Sequence, residues 1–279
     1  MADTETLTCP LCFHHCKLAP GAVGFCRTRA NLDGQIKSIN YGKITSLALD
    51  PIEKKPLARF HPGSFILSVG SFGCNLRCPF CQNHTISQAG PEASQLVATP
   101  QELADLAEEY HIKSHNLGLA FTYNEPLMSF EFVKETAALL KAKNLIVVLV
   151  TNGCLEPDKF RELLPLVDAM NIDLKGFTQE FYDWCHGDLA SVKENIKAAY
   201  YAGVHVEVTT LVIPGKNDSL EDMNREARWL SLLSPDLPLH LSRYFPRWHC
   251  SIPMTPDQTL MALKEEATKY LHFVYLGNW

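Results

Sequence analysis

Hydrophobic and polar positions change rhythm near Ser64. Beyond it, short apolar runs alternate with segments whose apolar residues recur every three or four positions, the pattern of strands followed by amphipathic helices. The runs lie at 65–69, 117–123, 145–150, 169–174, 204–213 and 237–242, with a last apolar stretch at 273–276. Between them, helical spacing appears at 101–110, 132–140, 158–164, 189–201, 220–232 and 257–270. Thr99-Pro100 supplies a fitting cap and first-turn pair for the first of these helices.

Residues 145–150 are wholly apolar, as expected of a parallel strand covered on both faces. Later strands alternate. Val204, Val206 and Val208 share one face, and His205, Glu207 and Thr209 the other. Asn171, Asp173 and Lys175 oppose Ile172 and Leu174, while His240 and Ser242 oppose Leu239 and Leu241. Apolar faces pack on helices, which leaves the polar faces to line a lumen. The fold class predicted is α/β: right-handed β/α units in a partial (β/α)6 TIM-like barrel, with a polar ligand cavity at its centre.

The segment before this repeat reads differently. Residues 1–60 divide off as a small Cys-rich N-terminal module and connector, and 61–279 as the core domain. Residues 35–40 and 43–49, around Tyr41-Gly42, are expected to form a metal-held hairpin. The prolines of Asp50-Pro51-Ile52-Glu53-Lys54-Lys55-Pro56 predict an extended connector with solvated charges.

Composition narrows the function classes. The chain is 46% hydrophobic with a net charge of −6, enough apolar side chain for a core and the wrong sign for a broad phosphate-binding surface. Nucleic acid is therefore not expected as a partner. No apolar run is long enough to span a membrane, and Met1-Ala2-Asp3-Thr4-Glu5 lacks the basic-then-apolar order of a signal peptide, so a cytoplasmic location is expected.

Ten cysteines are the outlier. In a cytoplasmic chain, clustered cysteines read as ligands before disulfides. Cys74-Asn75-Leu76-Arg77-Cys78-Pro79-Phe80-Cys81 places three thiols on one short loop directly after the first strand of the repeat. Three such thiolates can hold an iron–sulfur cubane and leave one corner open; a zinc site or reduced core thiols are the plainer readings. Cys9, Cys12, Cys16 and Cys26 form a second set, suited to tetrahedral zinc or to an auxiliary [4Fe-4S] cluster. Cys154, Cys185 and Cys250 stand alone and are expected to be buried thiols.

The three-cysteine loop, with Phe80 before its last cysteine, resembles the signature of the radical S-adenosylmethionine (SAM) superfamily. Cys81-Gln82-Asn83, Phe121-Thr122-Tyr123-Asn124-Glu125-Pro126, Val150-Thr151-Asn152-Gly153, Ile172-Asp173-Leu174-Lys175-Gly176-Phe177 and Leu211-Val212-Ile213-Pro214-Gly215-Lys216-Asn217-Asp218 extend the likeness. They are similar to the branch of pyruvate formate-lyase activating enzyme. With Asp50-Pro51-Ile52-Glu53-Lys54-Lys55-Pro56-Leu57 and the chain from Cys9 onward, the sequence resembles the radical SAM enzymes of the AmmeMemoRadiSam system.

The resemblance implies a [4Fe-4S] cluster on Cys74, Cys78 and Cys81, whose open iron takes SAM. An electron from a flavodoxin- or ferredoxin-type donor then cleaves SAM to methionine and a 5′-deoxyadenosyl radical that abstracts hydrogen from a substrate, a protein glycine in the activating enzymes. Glu125 is similar to the residue that receives the SAM amino group, and Asn124 replaces a glycine of the family motif. Thr151, Asn171 and Asp173 resemble positions around the SAM carboxylate and a monovalent cation, although Val150 stands where the family has an aspartate. Lys175 would balance charge in the lumen, Val212 would contact adenine, and His240 would reach the ribose. The bland alternatives are an Asp173–Lys175 ion pair and a helix-start role for Glu125. For the whole chain, the other class is an iron–sulfur or zinc protein that binds a partner or passes electrons without SAM chemistry.

Overall fold

The frame is an eight-stranded sheet, seen in a computed structural model that describes residues 5–279; the chain start at 1–4 lies outside them. Its strands are β1 (Ser46–Pro51), β2 (Phe65–Gly70), β3 (Gly118–Phe121), β4 (Ile146–Thr151), β5 (Ala169–Asp173), β6 (His205–Val212), β7 (Leu239–Arg243) and β8 (Val274–Gly277). They lie side by side in chain order. Every neighbour pair from β2 to β8 is parallel, and β1 runs antiparallel to β2. Among the described residues no pairing joins β1 to β8, so the curved sheet stays open on one side. The expected partial barrel is present.

Helices α1 (Pro100–Ser114), α2 (Phe130–Ala142), α3 (Leu189–Tyr201), α4 (Leu220–Ser231) and α5 (Asp257–Ala267) follow β2, β3, β5, β6 and β7, while β4 is followed by the short helix Pro157–Arg161. Thr99 accepts from the Glu102 amide while the Glu102 side chain takes the Thr99 amide, and α1 buries Leu103, Ala104 and Ala107. Two orphan donors of the first turn are thereby satisfied. Thr99→Ala is expected to cost about 1 kcal/mol, read as a fall in the denaturation midpoint at unchanged m-value. No helix is long and apolar enough to cross a membrane.

Two local expectations are corrected. The N-terminal hairpin joins Arg29–Leu32 to Gln35–Ser38, not 35–40 to 43–49. Asp33 (φ 53°) and Gly34 (φ 71°) both sit in the left-handed region, the turn whose twist suits a two-residue hairpin. Lys43–Ile44 instead pairs with Leu96–Val97, and Ser46–Pro51 joins the main sheet as β1.

Only half of the connector's charges are solvated: Glu53 and Lys54 are exposed, whereas Asp50 and Lys55 are buried. Ile52 and Leu57 turn into the bottom of the barrel and form a second apolar cluster with Ile66, Ala120, Val148 and Ala169. The Asn171 amide donates to the Pro56 carbonyl at 2.8 Å. Glu207, fully buried, accepts from the Ala58 and Arg59 amides at 3.0 and 2.8 Å and pairs with His205 and His240. Burial alone would raise its pKa; these four partners hold it at about 2. Lys55 is left 1% exposed. The plug closes the lower barrel and confines any ligand to the upper half.

Candidate active site

The sequence after β2 leaves the sheet at Ser71-Phe72-Gly73 and enters the three-cysteine loop. Gly73 has φ 87°, and a Cβ there would meet Thr28 Cγ2 at 2.2 Å and the Cys26 carbonyl at 2.7 Å. No L side chain fits without displacing backbone. Gly73→Ala is expected to lower the thermal midpoint and to reduce iron uptake on reconstitution, which metal analysis would show.

Fixed contacts hold the loop. Asn75 donates to the Cys154 carbonyl at 2.8 Å and accepts from Asn152 at 2.9 Å, while His14 contacts the Asn75 carbonyl at 2.8 Å. Phe80 is buried against Phe181 and Trp184. The Leu76 amide and Asn152 Nδ2 point at Cys74 Sγ (3.3 and 3.7 Å), and the Ser87 hydroxyl lies 3.2 Å from Cys81 Sγ. Donors aimed at sulfur stabilise thiolate charge, as a metal-bound thiolate needs.

Cys74, Cys78 and Cys81 all line one cavity of about 470 Å³ at the carboxyl ends of the strands. No fourth thiol lines it; Cys154 and Cys185 are buried behind the loop, and Cys250 is buried elsewhere. Among the described residues no group of three or more His, Cys, Asp or Glu is arranged to hold a single metal ion. The fit to a cluster rests on the donor set: three thiols on one loop, sulfur-directed donors, and an open space large enough for a cubane and a ligand.

Glu125 lines the same cavity next to the loop, held by the Asn152 that also contacts Cys74 and Asn75. It accepts from the Asn152 amide at 2.7 Å, the Thr151 hydroxyl at 2.8 Å and the Leu127 amide at 3.1 Å. It thus caps the turn Pro126–Ser129, as the helix-start reading expects, and also faces the cavity. Burial is the larger influence and pushes its pKa up to about 7 in spite of the three donors. A buried carboxylate in this condition favours a cationic partner.

The remaining residues divide. Asn124, Thr151, Asp173 and Lys175 line the cavity. Asn124 accepts from the Ser71 amide and donates to the Gly73 carbonyl at 3.0 and 2.9 Å, so its side chain ties the cysteine loop to the end of β3. Lys175 pairs with Asp173 at 2.8 Å, and the two charges with Cys78 nearby keep it protonated against the pull of burial.

Three expected residues are not in the lining. Asn171 sits below the cavity, bonded to Thr209 and the plug. His240 lies deeper, 2.6 Å from Glu207 and stacked on Tyr275. Val212 is buried on the outer face of β6, and the adjacent Leu211 faces the cavity in its place. The cause is the two-residue period of a strand: His205, Glu207, Thr209 and Leu211 share the inner face. Val150 brings no oxygen ligand to the wall it lines. Asp50, Lys54, Lys55 and Tyr123 also line the cavity; sequence reasoning assigned them no site role, although all four lie in the stretches 50–57 and 121–126 that carry the resemblance.

In the N-terminal module, Cys9, Cys12, Cys16 and Cys26 line one small enclosed space with His14 and Arg29. Burial raises the Cys12 thiol to about 12, so the protein alone keeps it protonated; a bound metal would favour the thiolate. Arg29, nearby, is held by Glu131 through two 2.7 Å bonds.

Comparison with known proteins adds identity to this geometry. Over 280 residues the chain is 38% identical to an uncharacterized protein of Methanocaldococcus jannaschii, covering 99% of this chain and 82% of that one. It is 26% identical over 187 residues to the benzylsuccinate synthase activating enzyme of Thauera aromatica, covering 66% of this chain and 56% of that enzyme. Among solved structures, a radical SAM methyltransferase from Sphaerobacter thermophilus shares the fold with a TM-score of 0.60 at 14% identity, covering 78% of this chain and 67% of that one. Residues 68–227 match the Radical SAM superfamily, a span that runs from within β2 into α4 and contains the three-cysteine loop and Glu125; the chain belongs to that superfamily.

Proposed function

We propose that this radical SAM enzyme cleaves SAM in the 470 Å³ cavity and abstracts hydrogen from a substrate held beside it. The observation that carries this reading is the convergence of three loop thiols and a buried, amide-held carboxylate on one open space. When bound, the cluster and SAM supply an electron-driven scission of the sulfonium carbon–sulfur bond, giving methionine and a 5′-deoxyadenosyl radical.

The chain's own residues do the positioning. Cys74, Cys78 and Cys81 would hold three irons, and Phe80 would pack the loop's far side. Glu125 would receive the SAM ammonium, with Thr151 and the Asn152 amide fixing its two oxygens. Asp173 and Lys175 would balance charge beside the thiols. Asn124 would hold the loop at its distance from Glu125. The apolar plug keeps water from the lower barrel.

A protein glycine is the substrate class that the likeness to an activating enzyme favours. A reduced flavodoxin- or ferredoxin-type protein would deliver the electron. The four N-terminal thiols would bind zinc or a second cluster beside the loop.

The reading is tested with anaerobically reconstituted, reduced protein. It should convert SAM to methionine and 5′-deoxyadenosine, and deuterium from the right labelled substrate should enter the nucleoside. Protein with a full cluster that binds no SAM would return the chain to partner binding or electron transfer. In a Cys74/Cys78/Cys81 triple alanine variant, zinc is the expected residual metal; retained iron would assign an auxiliary cluster to the module.

A further inference from the structure

One cavity wall is left unused by the chemistry above. Lys55 lines the cavity although its side chain is 2% exposed. Its ammonium donates to Asp50 Oδ2 at 2.8 Å and lies 4.7 Å from the centre of the Tyr123 ring. The Tyr123 hydroxyl donates to the same oxygen at 2.6 Å, and Lys54 reaches Asp50 Oδ1 at 3.3 Å. An ammonium has three donors. Among the described residues, Asp50 is the single hydrogen-bond acceptor that Lys55 finds.

The arrangement has a direction. Asp50 accepts from three donors, two on Oδ2 and one on Oδ1, and although burial alone would raise its pKa, Lys55, Tyr123 and Lys54 hold it at about 2. It cannot serve as a base near neutrality. What the group still offers to the cavity is N–H donors and a positive charge, with two lysines against one carboxylate. The complementary ligand group is an oxyanion.

Its place separates it from the residues that would take SAM. In the β1–β2 register Asp50 lies opposite Ile66, four residues before Gly70, and the cysteine loop begins beyond Gly70. Lys55, bonded to Asp50, therefore lines the cavity at a level below the thiols, where a second ligand would sit.

We propose that Lys55, held by Asp50 and Tyr123, binds a carboxylate or phosphate group of the substrate and so fixes which hydrogen faces the radical. This rests on the reading that SAM is cleaved in the same cavity. For a protein substrate, that group is an acidic or phosphorylated side chain a short distance from the glycine carbon that loses hydrogen. Lys54, two-thirds exposed at the mouth, would draw such a group inward.

The test uses reconstituted enzyme loaded with SAM and titrated calorimetrically at constant ionic strength. The probes are inorganic phosphate and glutarate, with glutaramide as the neutral control. Wild type should bind one of the two anions saturably at one site and ignore glutaramide. The stronger anion identifies phosphate or carboxylate as the natural group. Lys55→Met should weaken that binding by roughly tenfold or more, the value of one charged hydrogen bond, with SAM affinity unchanged. Asp50→Asn combined with Lys55→Met removes both charges without orphaning either; it should keep the wild-type thermal midpoint and lose the anion.

Equal anion binding by wild type and Lys55→Met would overturn the proposal, as would no anion binding to wild type. A parallel fall in SAM affinity would overturn it too, by assigning Lys55 to SAM. Failure of wild type to bind SAM at all defeats the functional reading instead, and the same titration on that protein still reads Lys55 by itself.

Discussion

Cys78→Ala is expected to remove 5′-deoxyadenosine formation to background while the chain stays folded. Cys78 is the central thiol of the loop, 7% exposed, and its loss leaves two sulfurs where a cubane needs at least three protein corners. Iron content per chain should fall on reconstitution, and the visible absorption of the cluster with it. The barrel core does not depend on this side chain, so far-ultraviolet circular dichroism should match wild type. Cys250→Ala is the control: a buried thiol that does not line the cavity, whose removal should cost about 1 kcal/mol of stability and no activity. Equal loss in both variants would mean that thiol burial, not ligation, sets activity.

Glu125→Gln carries the next largest effect. The amide keeps one oxygen for the Thr151 hydroxyl and the Leu127 amide, but it turns an NH2 toward the Asn152 amide and loses the charge that would meet the SAM ammonium. A hydrogen bond to a charged group contributes about 2 kcal/mol, so SAM should bind roughly 30-fold more weakly to reconstituted Glu125→Gln protein. The pH dependence follows from the same group. Burial raises Glu125 to about 7 from its ordinary 4.5, so between those values the folded chain holds a proton that the unfolded chain has released. Stability of the ligand-free protein from this group therefore declines as pH rises from 4.5 to about 7. SAM binding needs the carboxylate and should tighten over the upper part of that range. Glu125→Gln should flatten both trends. A SAM affinity that is pH-independent in wild type between 6 and 8, or unchanged in the variant, would remove Glu125 from the site.

The strand series and the position of the chemistry were legible because both are local. Residues 145–150 announced a doubly covered strand, and Val147, Val148 and Leu149 are fully buried. The alternation of His205, Glu207 and Thr209 with valines announced an inner polar face, and the cysteine loop sits where ligands of parallel α/β folds sit, after a strand. Alternation also carried information that the likeness to relatives overrode. It places Leu211, not Val212, on the inner face, and a shift of one residue moves a side chain through the sheet.

What stayed hidden was non-local. Lys55 looks like a solvated charge in a proline-rich connector until the fold brings Tyr123, 68 residues later, over its head (123 − 55). Glu207 holds the Ala58 and Arg59 amides across 149 and 148 residues, and no periodicity reports such a pairing. The same holds for β1. Its antiparallel register with β2 turns a predicted module strand into the sheet's edge, because Asp33-Gly34 offered the tighter turn upstream. Asn124 is a further case. As a departure from a glycine motif it looked like a defect, whereas its two bonds to Ser71 and Gly73 anchor the cysteine loop.

The proposed chemistry requires SAM to engage an iron centre that Cys74, Cys78 and Cys81 would hold. The direct measurement is the electron paramagnetic resonance spectrum of the reduced, reconstituted protein recorded before and after SAM is added. Coordination at an open iron predicts a changed set of g values with wild type, and no such change with Cys78→Ala. A reduced wild-type cluster whose spectrum is indifferent to saturating SAM would contradict it.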